Sequence, residues 1–116
     1  MARTLNRTER IRTRPEFLRI QQNGVRTRGR YMTLISLTST RKDSRLGIVA
    51  TRKFGNAVLR NYSKRRIREF FRHHKPVEVI DLVVLPRREF LDAHITSLRD
   101  DYLRTLHRQV RAHLSA

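Results

Sequence analysis

KFGNAVLRNYSKRRIREFFRHH, residues 53–74, carries a start signal, a helical period and no breaker. Gly55 and Asn56 supply a turn and an N-cap, and neither Gly nor Pro follows until Pro76, so the spacing predicts an α-helix of about five turns. Advancing by about 100° per residue puts Asn61, Lys64, Arg65, Arg68 and Arg72 on one arc with the small Ala57, and Leu59, Ile67, Phe70 and Phe71 on another. One face packs; the other is dense positive charge. A merely solvated face mixes signs, yet Glu69 is the only acid here, placed to pair with Arg65. The partner this face calls for is a polyanion.

Around the helix the chain is short and strongly basic. Its 116 residues make one domain, and a hydrophobic content of 38% with no Trp suits helices on a small sheet better than a deep enzyme interior. A net charge of +17 makes the isolated fold repel itself and favours a place beside phosphates. Arginine outnumbers lysine, and its planar fork both grips phosphate and stacks on bases, which points to RNA. With no cysteine, disulfides and thiolate metal sites are excluded and a reducing, cytoplasmic setting is expected. No run is apolar and long enough for a secretory signal or a bilayer span, so no membrane partner is expected.

Upstream, residues 1–12 are polar and arginine-rich and read as a flexible basic arm that orders on its partner. Thr13 with Glu16 makes a capping-box pattern, Pro15 fits a first turn and Gly24 supplies a stop, giving a helix over residues 14–23. On it Ile20 reads as core, while Phe17 either packs or stacks on a nucleobase. Residues 31–38 (YMTLISLT) have strand composition, and residues 45–53 (RLGIVATRK), across a charged turn, read as the hairpin partner. Gly47 there marks a bulge or a close backbone approach. Residues 79–85 (VIDLVVL), stopped by Pro86, read as a strand buried on both faces, so strand, helix and strand recur around the basic helix. One helical turn within residues 87–96 precedes a second capping box, Ser97 with Asp100. A last helix over residues 98–114 then presents Leu98, Tyr102, Leu103, Leu106 and Val110 to the sheet.

No constellation for protein-borne catalysis emerges. Asp100 and Asp101 diverge on their helix and suit its N-terminus, Asp81 can meet Lys75 or solvent, and His107 with His113 lacks the spacing of a helical metal pair. No Walker or Rossmann glycine loop is present. No catalytic or metal-ligating residue is therefore expected. Phosphate is better served: Gly55 permits close approach, Asn56 opens a helix N-terminus, and Arg60, Asn61, Lys64, Arg65 and Arg68 extend the potential that Arg52 and Lys53 begin.

Residues 45–71, RLGIVATRKFGNAVLRNYSKRRIREFF, resemble the signature of the bacterial ribonuclease P protein subunit family, G-x-x-V-[ST]-[KR]-K followed by G-N-A-V-x-R-N-R-x-K-R-x-x-R-E. Gly47, Thr51, Arg52, Lys53, Gly55, Asn56, Ala57, Val58, Arg60, Asn61, Lys64, Arg65, Arg68 and Glu69 stand where that pattern puts them, and Tyr62 replaces the second arginine of Arg-Asn-Arg. The resemblance implies an α/β fold of the α+β two-layer sandwich kind, a small mixed sheet with helices packed on one side. The implied topology is like the second domain of ribosomal protein S5, with a left-handed crossover in the strand-helix-strand unit.

It also implies a division of labour. The basic helix and its loop (Arg52, Lys53, Asn56, Arg60, Asn61, Lys64, Arg65, Arg68) would bind the catalytic ribonuclease P RNA, and a cleft between the first helix and the sheet would hold the 5′ leader of precursor tRNA. Hydrolysis would use Mg²⁺ held mainly by the RNA, with no further protein partner required. On this chain the leader cleft falls at Phe17, Gln21, Tyr31, Thr33, Ile35 and Thr51, beside Lys53, because residues two apart on a strand share a face. In the alternative, Tyr31 and Ile35 are core. The rival readings are a ribosomal or rRNA-assembly protein, an autonomous RNA endonuclease and a duplex-DNA architectural protein.

Overall fold

In the computed structural model, which describes residues 5–115, the basic run forms helix α2, Ala57–His73. Asn56 caps it as expected, its side-chain oxygen accepting the Leu59 N–H at 3.0 Å, while Ile67, Phe70 and Phe71 are buried on one face. Burying such side chains contributes on the order of 1.5–3 kcal/mol each. Leu59, expected among them, lies one turn too early beside Gly55 and stays 37% exposed. Ser63 takes a buried place instead and donates its hydroxyl to the Arg60 carbonyl. Glu69 pairs with Arg66 at 3.1 Å rather than with Arg65.

Helix α1 spans Arg14–Asn23, as its caps predict, and is followed by strands β1 (Val25–Arg28), β2 (Met32–Thr38), β3 (Arg45–Ile48) and β4 (Ile80–Pro86) and by helix α3 (Ile95–Ser115). The sheet order is β1-β2-β4-β3, antiparallel except for the β3–β4 pair, so β3 is not the hairpin partner of β2. β1 takes that place, with Val25 opposite Ser36, and the apolar β4 lies between β2 and β3. Gly24 makes the reversal from α1 into β1 possible: a Cβ there would lie 2.6 Å from the Ile20 carbonyl oxygen and 2.9 Å from that of Ser36.

Alternation sorts the two faces of the sheet. Leu34, Leu46, Leu82 and Val84 pack with Ile67 and Phe71 of α2 and Leu98 and Tyr102 of α3. Ile35 and Val83 point the other way, beneath Ile20 of α1. The fold is the mixed α/β one expected, except that α1 lies on the face opposite the other two helices. α3 also begins ahead of the Ser97 box, because the His94 ring accepts the Thr96 N–H at 3.2 Å and starts the helix there. Asp101, expected to serve that helix end, is buried and accepts the Arg30 and Tyr31 backbone N–H groups at 2.9 and 2.8 Å. Gln109 donates to the Val25 and Leu34 carbonyls at 2.7 Å each and accepts from the Ser36 hydroxyl, which also meets His113 Nε2. These polar ties fix α3 to the β1–β2 hairpin.

Residues 5–12 do not stand free as an arm. Leu5 and Ile11 are buried, Ile11 N–H donates to the Leu46 carbonyl at 3.0 Å along the outer edge of β3, and Glu9 pairs with Lys75. Two apolar anchors among arginines are enough to dock the segment and cover a sheet edge. Residues 1–4 of the expected arm lie outside the described residues.

Asp81 meets neither Lys75 nor solvent. It is buried, and Arg45 donates to both its oxygens at 2.9 Å while reaching Glu16 on α1 at 2.7 Å. The hydrogen bonds that Asp81 accepts raise the Arg45 guanidinium above its ordinary range, and Arg45 in turn holds Glu16 below the usual carboxylate range. This buried ion network seats α1 across the sheet. Among the described residues no helix is long and apolar enough to cross a membrane.

Candidate nucleic-acid interface

The basic surface begins in the turn before α2. Phe54 is buried edge-on against Phe90, with ring centroids 6.3 Å apart, and its N–H donates to the Thr51 carbonyl at 3.0 Å. That anchor leaves Arg52 and Lys53 exposed. Arg60 Nη1 donates to the Gly55 carbonyl at 2.8 Å and pins the same turn, while the cap engages the Asn56 oxygen, so what Asn56 offers an anion is its amide NH₂. Asn61, Arg65 and Arg68 are exposed along the helix and Lys64 is half-buried. Tyr62 turns inward: its ring meets Phe90 edge-on at 6.3 Å and lies 5.4 Å beneath the Arg66 guanidinium, so it packs the flank of α2.

Beside this surface lies a groove of about 400 Å³. Arg14, Phe17, Leu18 and Gln21 form its α1 wall, Ile48, Val49 and Ala50 its floor at the end of β3, and Lys64 of α2 its far side. The α1 spacing is i, i+3, i+4, i+7, one helical face. A smaller compartment of about 150 Å³ continues past Phe17 to Arg10, Ile11, Gly47 and Arg68. Gly47 is required by the ring: a Cβ there would lie 2.7 Å from Phe17 Cζ and 3.2 Å from Ile11 Cβ. Neither a bulge nor a backbone approach explains this glycine; an aromatic side chain does. Lys64 lines both compartments. The walls together suit an extended ligand with flat apolar groups and regular negative charge.

The structure brings some of the expected leader-contacting residues together and separates others. Phe17 and Gln21 line the groove, and Thr51 and Lys53 are exposed just beyond its Ala50 rim. Ile35 is 0% exposed beneath α1 and is core. Thr33 is buried and does not line the groove. Tyr31 precedes β2, so strand parity does not govern it; it packs toward the α3 side, with the Arg30 guanidinium 5.3 Å from its ring. Arg14, Leu18, Ile48, Val49 and Ala50 were not expected, although the spacing from Arg14 to Gln21 marks the first two.

Among the described residues no group of three His, Asp or Glu side chains is placed to hold a metal ion.

The ribonuclease P family model matches residues 5–110. The ribonuclease P protein component of Thermotoga maritima is 38% identical over 114 residues, which is 93% of this chain and 97% of that protein. A solved structure of the Thermotoga maritima RNase P protein superposes with a TM-score of 0.78 at 38% identity, covering 86% of this chain and 96% of that one. A Staphylococcus aureus RNase P protein mutant with defective mRNA degradation activity superposes with a TM-score of 0.80 at 30% identity, covering 86% of each chain.

Proposed function

The chain belongs to the ribonuclease P protein family, the protein components of a tRNA-processing ribonuclease that has an RNA partner, and from that premise we propose that α2 and its turn bind the catalytic RNA while the Phe17 groove holds the single-stranded 5′ leader of precursor tRNA. The observation that carries this reading is the shared wall. Lys64 belongs both to the basic arc and to the groove, so a strand in the groove lies alongside an RNA on the helix. Cations between two polyanions reduce their repulsion, and holding substrate beside the ribozyme lowers the entropic part of the barrier to leader removal.

The leader contacts are Phe17, Leu18 and Gln21 on α1, with Thr51, Lys53 and Lys64 supplying polar and charged partners. Bases stacked or packed on such walls are bound with little regard to sequence. The same groove accepts any unpaired strand, in keeping with the mRNA degradation named for the Staphylococcus aureus relative. On this reading the RNA holds the Mg²⁺ ions of the cleavage step, and the complex works in the cytoplasm.

Comparing a leader-bearing precursor with mature tRNA tests the reading. In the reconstituted ribonucleoprotein, Phe17→Ala is expected to weaken binding of the precursor by about 1–3 kcal/mol and to leave mature tRNA unchanged. Equal losses for both RNAs would make Phe17 a packing residue alone.

A further inference from the structure

A third cleft, of about 320 Å³, opens at the N-terminal end of α1 and has no part in the function proposed above. Four exposed arginines from two distant segments line it, Arg7, Arg10 and Arg12 from the docked N-terminal segment and Arg41 from the loop between β2 and β3. The carboxylate in its lining, Glu16, is already engaged by Arg45 at 2.7 Å and by the Thr13 hydroxyl at 3.0 Å. Arg41 lies 3.9 Å from that same carboxylate, so one acid faces several cations. An ordinary solvated surface interleaves the two signs. Bringing two segments of like charge together costs folding energy, which a polyanion offsets.

Two further features favour a ligand. Arg10 donates from Nε and Nη2 to the Leu5 carbonyl at 3.0 and 2.6 Å, so its guanidinium is fixed before anything binds. Arg10 also lines the compartment beyond Phe17, which makes groove and cleft continuous around the N-terminal segment.

We propose that this arginine cleft binds the sugar–phosphate backbone of the leader strand after it leaves the Phe17 groove, passing Arg10 to reach Arg12 and Arg41. The inference rests on the groove reading and extends it. Guanidinium contacts to phosphate position a strand without reading bases. The cleft therefore gives the protein a sense of leader length, not of leader sequence.

The test is equilibrium binding by the reconstituted ribonucleoprotein of mature tRNA and of precursors with leaders of about 4 and about 12 nucleotides, the span of single-strand footprints. Each is titrated over a range of salt. The variant R7A/R12A/R41A spares Arg10 and Arg45, and with them the Leu5 anchor and the buried ion network. The unaltered protein is expected to bind the long leader more tightly than the short one, and the variant to lose that advantage. Its salt slope for the long leader falls by about 2, at roughly 0.7 per phosphate contact on a single strand. Binding of the short-leader precursor and of mature tRNA stays unchanged. Should the triple variant unfold, Arg41→Glu in the exposed loop gives the same comparison. A variant that keeps the long-leader advantage and slope overturns the proposal, as does one that weakens all three RNAs equally. If the unaltered protein shows no preference for either leader over mature tRNA, it is the groove reading that fails.

Discussion

Gly47→Ala probes how tightly the groove floor is built. The added Cβ would lie 2.7 Å from Phe17 Cζ and 3.2 Å from Ile11 Cβ, both inside ordinary van der Waals contact. Ile11 is buried and held through its N–H on Leu46, so it has little room to retreat. Phe17 borders an open groove, and rotation of its ring away from β3 is the easier relief. Overpacking costs about 1–3 kcal/mol in general, and this escape route puts the expected loss in the lower half of that range. In a Phe17→Ala background the ring is gone and Gly47→Ala should cost far less, giving a coupling energy of about 1 kcal/mol between the two sites. Urea unfolding of the four proteins in this cycle measures it, and the displaced ring should also weaken leader binding in the single Gly47 variant. Additive costs, or a neutral Gly47→Ala, would refute the argument that Phe17 is seated on this glycine.

Asp81→Ala leaves Arg45 buried with Glu16 as its remaining acid and should cost about 3–5 kcal/mol in urea unfolding; a loss under about 1 kcal/mol would mean that the network is solvated, like a surface pair. Burial holds His113 below the ordinary imidazole range, outweighing the opposing charge of Glu78. The unfolded chain then takes up a proton that the fold resists, so stability present above the unfolded value of about 6.5 falls as pH drops through it. His113→Gln should flatten that change, and an unaltered pH profile would exclude His113 as its source. Replacing Arg60, Lys64 and Arg68 together by Ala should make the salt dependence of RNA binding shallower by roughly 0.7–0.9 per lost phosphate contact. An unchanged slope would remove these residues from the RNA surface.

What could be read from the sequence depended on how local the signals were. α1 and α2 were legible to the residue at their starts, because Thr13, Pro15, Gly55 and Asn56 act within a turn of where they stand. β4 was legible as a short apolar run broken only by Asp81. β1 was not: VRTR holds one apolar residue, and what makes it a strand is Gly24 and the pairing with β2. The β3–β4 pairing is parallel and spans α2, so no hairpin signal could announce it. Asp81 and Arg45 are far apart in the chain, and nearby Lys75 was the natural but incorrect partner. In the groove, Phe17 was suggested by the helix and Gln21 by the family resemblance, whereas Ile48, Val49 and Ala50 belong to it only because α1 crosses the end of β3. Ile35 shows the converse: strand parity identified its face correctly, and the same helix covers it.

The central claim is that this protein helps an RNA catalyst to act on leader-bearing tRNA, and cleavage of a 5′-extended precursor tRNA at low Mg²⁺ tests it most directly. The protein alone, a bacterial ribonuclease P RNA alone and the two together are compared. Efficient cleavage by the combination only is the predicted result, with the advantage reduced when Lys64, the wall common to groove and helix, is replaced by Ala. Cleavage by the protein alone, or a protein that adds nothing to the RNA, would contradict it.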